Sequence, residues 1–144
     1  MAYDLTHSYA PGERRRNGLA TAGWVVAGLT SAVILAMAAL AGQAWFNGEM
    51  ALIRMHGMVG GFALLGAVAS SAIAVVERRR SGRFLPLALS VALLALMLGQ
   101  TALGMMGRSS AAAAALHIPN GILVAMVSAV LVALAAATNR PATQ

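Results

Sequence analysis

Residues 77–83 read ERRRSGR, four arginines in seven residues, set between the apolar runs 51–76 and 84–106. A short charged break between two runs of this length is the pattern of a turn that emerges from a bilayer. Each run crosses roughly 30 Å of hydrocarbon at about 1.5 Å per residue of helix. Outward from this break lie two more runs, 22–45 and 112–137, separated from the inner pair by FNGE at 46–49 and GRSS at 107–110. Connections this short force successive helices to run antiparallel. The fold expected is an all-α integral membrane four-helix bundle, up-down-up-down.

Composition agrees, with 60% hydrophobic residues against 10% charged. The net charge of +6 would suit a nucleic-acid partner if it formed a patch, but the arginines cluster at the ends of apolar runs, where they set topology. Arg14–Arg16, Arg78–Arg80, Arg83 and Arg140 put eight on one side of the membrane, and Arg54 and Arg108 put two on the other. Both termini are therefore expected in the cytoplasm. Residues 1–20 read as a polar cytoplasmic arm containing His7, residues 21–138 as the membrane domain, and residues 139–144 as a tail. The first span, entered through RRRNGL and left through ALAGQA, is longer than the apolar core of a cleaved leader and is kept as a helix. The exclusive use of Arg over Lys, with abundant Ala and Gly, points to a bacterial source and so to the plasma membrane. Cysteine is absent, which removes disulfides and thiolate metal sites.

Polar residues inside such spans are costly and mark sites. His56 in IRMHGMVGG and His117 in LHIPNG lie near the same end of the second and fourth spans. Counted to the arginines that follow each span, Arg78 and Arg140, the two histidines come out at the same depth within about one residue rise. Each is followed four residues later by glycine, Gly60 and Gly121, on the same helix face. Gly42-Gln43 and Gly99-Gln100 close the first and third spans, so the two halves read as a duplicated hairpin with its copies related by an axis along the membrane normal.

A haem iron takes an imidazole on each face, and its macrocycle needs a flat slot between helices. His56 and His117 are the candidate ligands, and Gly60 and Gly121 the candidate clearance. Arg54 and Arg108 are candidates for the propionates, and Gln43, Gln100 and Asn120 for hydrogen bonds to ligand or imidazole. Pro119 cannot bond back to the Ala115 carbonyl, so the fourth helix is expected to start near His117 or to kink there. Small-residue spacing is equally the signature of bare helix packing. Met55, Met58, Met105 and Met106 raise copper handling or a transport role as another reading, although Met55 and Met58 lie off the helical face of His56. No span carries an embedded carboxylate, and no hydrolase, nucleotide or zinc motif appears.

Four spans with histidines near the extracytoplasmic ends of the second and fourth resemble one four-helix half of haem A synthase, over about residues 20–138. They are also similar to short bacterial four-helix membrane proteins with an LH-P-N stretch in the last helix. The resemblance implies that His56 and His117 are axial ligands of a b-type haem. The synthase pattern of a glutamate shortly before a histidine and a cysteine pair in the first external loop is missing, the nearest acid being Glu49. Haem binding thus carries over, and stand-alone enzyme activity does not. The function expected is a small haem-b protein, an electron carrier or haem-bearing subunit of a larger redox complex. The rivals are a cofactor-free accessory subunit of a membrane complex and the copper or transport reading.

Overall fold

The computed structural model describes residues 11–138, with side chains from residue 18 onward. Four helices follow one another: α1 Pro11–Asn47, α2 Met50–Ser81, α3 Leu85–Met106 and α4 Ala111–Thr138. No strand occurs among the described residues. All four are long and apolar enough to cross a membrane, with α1 counted from Gly18. The chain is a multi-pass helical membrane protein in architecture.

Polar arginines do not stop a helix that has cleared the hydrocarbon. α2 therefore runs on to Ser81, through most of the charged break, and α1 begins at Pro11, inside the stretch read as an arm. Proline suits a first helical position, because its fixed φ is helical and its missing N–H has no partner to lose there. His7 and the tail from residue 139 lie outside the described residues. The turns are closed by glycines with positive φ, Gly48 at 69° after α1 and Gly82 at 74° after α2. At Gly82 the N–H donates to the Arg78 carbonyl at 3.0 Å, while the Arg78 guanidinium donates to the Gly82 carbonyl and stacks 5.9 Å from the Phe84 ring centre. A side chain at either glycine would meet the left-handed conformation that L-residues avoid.

Each helix packs on its sequence neighbours and α4 closes back on α1, while the backbones of the diagonal pairs α1/α3 and α2/α4 stay apart. The core is a thin axial column: Ala27, Ile34 and Met37 from α1, Ala63 and Ala67 from α2, Leu93 and Met97 from α3, Val124 and Leu131 from α4. The buried face of α2 is made only of small residues, Ala63, Ala67, Ser70 and Ala74, so α1 and α2 approach closely. Around the outside, Leu29, Phe62, Leu65 and Met126 are each at least 60% exposed, as suits side chains whose solvent is lipid.

At least one polar tie crosses every seam. His56 Nδ1 meets the Met37 carbonyl between α1 and α2, and the Ser71 hydroxyl donates to the Ser90 carbonyl at 3.1 Å between α2 and α3. Asn120 donates to the Leu96 carbonyl at 3.0 Å between α3 and α4, and Ser31 and Ser128 share a hydrogen bond between α4 and α1. These groups, which lipid cannot solvate, are thereby paired within the bundle.

Candidate functional site

His56 is the seventh residue of α2 and His117 the seventh of α4, so the equal depth expected from the sequence holds in the helices themselves. The two helices are diagonal rather than adjacent, and their rings meet across the bundle axis. The ring centres are 6.1 Å apart, with the planes inclined at 67°.

Bond polarity around these rings follows from the backbone. The Met37 carbonyl can only accept, so His56 Nδ1 carries the proton and donates at 2.9 Å. A neutral ring then keeps a lone pair on Nε2. On the other side, the Leu96 carbonyl is again an acceptor and fixes the Asn120 amide nitrogen against it. That nitrogen also donates to Gln100 Oε1 at 2.7 Å, so the Gln100 amide nitrogen faces His117 Nε2 at 3.1 Å and must donate. His117 accordingly accepts at Nε2 and holds its proton on Nδ1, a buried atom with no partner. One main-chain carbonyl thus sets the tautomer of a ring three groups away.

Beside the rings lies a cavity of about 330 Å³. His56, Gln100, His117 and Gly121 line it with Met37, Met97 and apolar residues of α1 and α4. It opens through the α1/α4 seam, where Leu35, Ile118 and Ile122 are exposed. Among the described residues, no charged side chain lines it.

Of the residues singled out in the sequence, His56, His117, Gln100, Asn120 and Gly121 come together here. Gly60 abuts the region through Met37, whose methyl would lie 3.1 Å from a Cβ at that position. Gly121 is likewise closed by Gln100 Nε2, 3.0 Å from its virtual Cβ. The space left by each glycine is therefore taken up by a side chain of the preceding helix. Gln43 is exposed and does not line the cavity, and Arg54 and Arg108 are exposed near the turns. The fourth helix neither starts at His117 nor stops there: it begins at Ala111 and runs through Pro119. Six residues of helix before the histidine anchor it, and only the bond to Ala115 is missing.

Leu96, Met37 and Gly104 escaped the sequence reading. Met37 acts through its carbonyl, which its side chain does not advertise. Gly104 gives the His117 ring its seat, because a Cβ there would stand 3.1 Å from Cε1. The two hairpins hold their histidines at matching positions, and Gly-Gln is not part of the match. A shift of 61 residues carries His56 and Gly60 onto His117 and Gly121, and a shift of 63 carries Met37 onto Gln100. Each histidine bonds that partner and each glycine is closed by it. Gln43 has no part in the equivalence.

The ligand set can be tested against haem. Two imidazoles brought together across the bundle axis, with centres 6.1 Å apart, are the donor set a haem iron would take. His56 also fits in detail, with its Nδ1–H held by a carbonyl and Nε2 free, the usual support of a metal-bound histidine. His117 would fit only with Gln100 turned away from its Nε2, which that amide occupies in this structure. No protein-family model matches the chain, and neither characterised proteins nor solved structures give a match.

Proposed function

We propose that this chain is a small membrane b-type haem-binding protein of the bacterial plasma membrane, with both termini cytoplasmic, acting as an electron carrier or haem-bearing subunit of a larger redox complex. The observation that carries the reading is the meeting of His56 and His117 from diagonal helices at 6.1 Å between ring centres. His56 and His117 would hold the iron, and the group would supply a reversible one-electron couple. The residues around it exclude water, and the Met37 carbonyl orients the His56 ring. Asn120 and Gln100 position the His117 ring. The resemblance to half of haem A synthase supports the same assignment.

Purified protein should show a Soret band with sharp α and β bands on reduction. His56→Ala and His117→Ala should each give a high-spin spectrum or lose haem, since either leaves one axial position open. Arg54→Ala and Arg108→Ala should be milder, because cations at the water interface are screened and replaceable. A normal low-spin spectrum in His117→Ala refutes the pairing.

The second reading is a cofactor-free accessory subunit. It is favoured by the occupation of both glycine spaces by Met37 and Gln100, and by the in-chain partners of both rings. A stoichiometric but colourless protein, unaltered by added haem, selects it.

A further inference from the structure

A second cavity of about 320 Å³ lies farther along the α1/α4 seam. It shares Ile34, Leu35 and Ala125 with the histidine chamber. Its mouth is formed by Leu35, Ala129 and Ala133, all exposed. Its polar groups are the hydroxyls of Ser31 and Ser128. Ser128 is 2% exposed.

Hydroxyl accounting makes this pair informative. Each serine brings one proton, and their mutual hydrogen bond uses one of the two. Among the described residues the other proton has no acceptor. The cavity is an open groove that offers a hydrogen-bond donor among described residues that are otherwise apolar and uncharged.

We propose that this cavity binds the ring of an isoprenoid quinone, with its tail leaving between α1 and α4 into the bilayer. Four observations select that class of ligand. The volume suits a small ring system. The mouth faces hydrocarbon, so the ligand arrives through lipid. The spare hydroxyl proton calls for an acceptor such as a ring carbonyl. The absence of charge in both cavities suits a neutral head. A phospholipid headgroup is excluded by depth: Ser128 is ten residues from the end of α4 and seventeen from its start, at least about 15 Å of helix either way. Along α4 the serine lies eleven residues from His117, about 16 Å. The proposal stands independently of the haem reading.

The test is photolabelling of the full chain in lipid nanodiscs with a short-chain azidoquinone, followed by peptide mapping. Label should concentrate on residues 31–35 and 125–133, and unlabelled quinone should displace it. Ala129→Phe fills the mouth from its lipid side and should lower labelling at least fivefold. Ala133→Phe should do the same and serves if the first variant misfolds. Ser128→Ala should lower it severalfold, as expected for one hydrogen bond. Label spread evenly over the lipid-exposed faces of all four helices overturns the proposal. So does equal displacement by excess phosphatidylglycerol, or labelling unchanged in both phenylalanine variants. Haem content, read from the same samples by absorbance, is a separate result: labelling without haem keeps the quinone site and removes only the haem reading.

Discussion

A hydrogen is all that position 66 can carry. A Cβ there would collide with the Thr30 hydroxyl and lie 3.1 Å from two further Thr30 carbons. Thr30 is 3% exposed and tied to the Val26 carbonyl at 2.7 Å, so it cannot swing aside cheaply. Gly66→Ala should therefore part α1 from α2 and cost roughly 1–3 kcal/mol of overpacking, more than the ~1 kcal/mol gained in helix propensity. Gly61→Ala meets nothing within 4 Å and should leave the melting temperature in detergent unchanged or raise it. The opposite ordering in a thermal melt would show that the α1/α2 contact is softer than its geometry. At this scale the sequence is readable where a residue type is itself expensive in lipid. His56, His117, Gln100 and Asn120 stood out for that reason. Met37 and Gly104 did not, because one acts through its main chain and the other through a missing side chain, and neither leaves a mark in hydropathy. The paired Gly-Gln at the ends of two spans was a resemblance of letters, and burial separates them: Gln100 is 9% exposed while Gln43 faces outward.

Among the elements, α4 carries the conflict. Pro119 removes the bond to Ala115 from the middle of a helix whose other residues favour helix or lipid. An interior proline costs about 3 kcal/mol in a soluble helix, less where neighbours or waters satisfy the freed carbonyl. Pro119→Ala should raise thermal stability in detergent by up to that amount. Should it lower stability instead, the proline is holding Asn120 and His117 in place against Leu96 and Gln100. The four spans were legible from hydropathy alone, since a run of that length has few other uses in a chain of 144 residues. Their ends were less so. Hydropathy reports where lipid stops, while a helix continues until its backbone is capped, which is why α2 passes through three arginines to the left-handed glycine at 82.

For the whole molecule, closure of the ring places α1, α3 and α2, α4 on diagonals, as two copies of one hairpin about a central axis would. The arginine asymmetry predicts the same orientation for both copies. Reporter fusions after Gln144 and within the 77–83 turn should report the cytoplasm, and a fusion within 107–110 the opposite face; an external signal after Gln144 would reverse the placement of the histidines. The two copies nevertheless hold their histidines by different means. His56 is fastened to main chain, which cannot leave without unwinding α1, whereas His117 is fastened to an amide that three side-chain torsions can withdraw. Matching positions are thus held by unlike partners, one by a main-chain carbonyl and the other by a side-chain amide. The Nε2 lone pair of His56 is left open by its carbonyl partner, while that of His117 stays engaged until Gln100 turns.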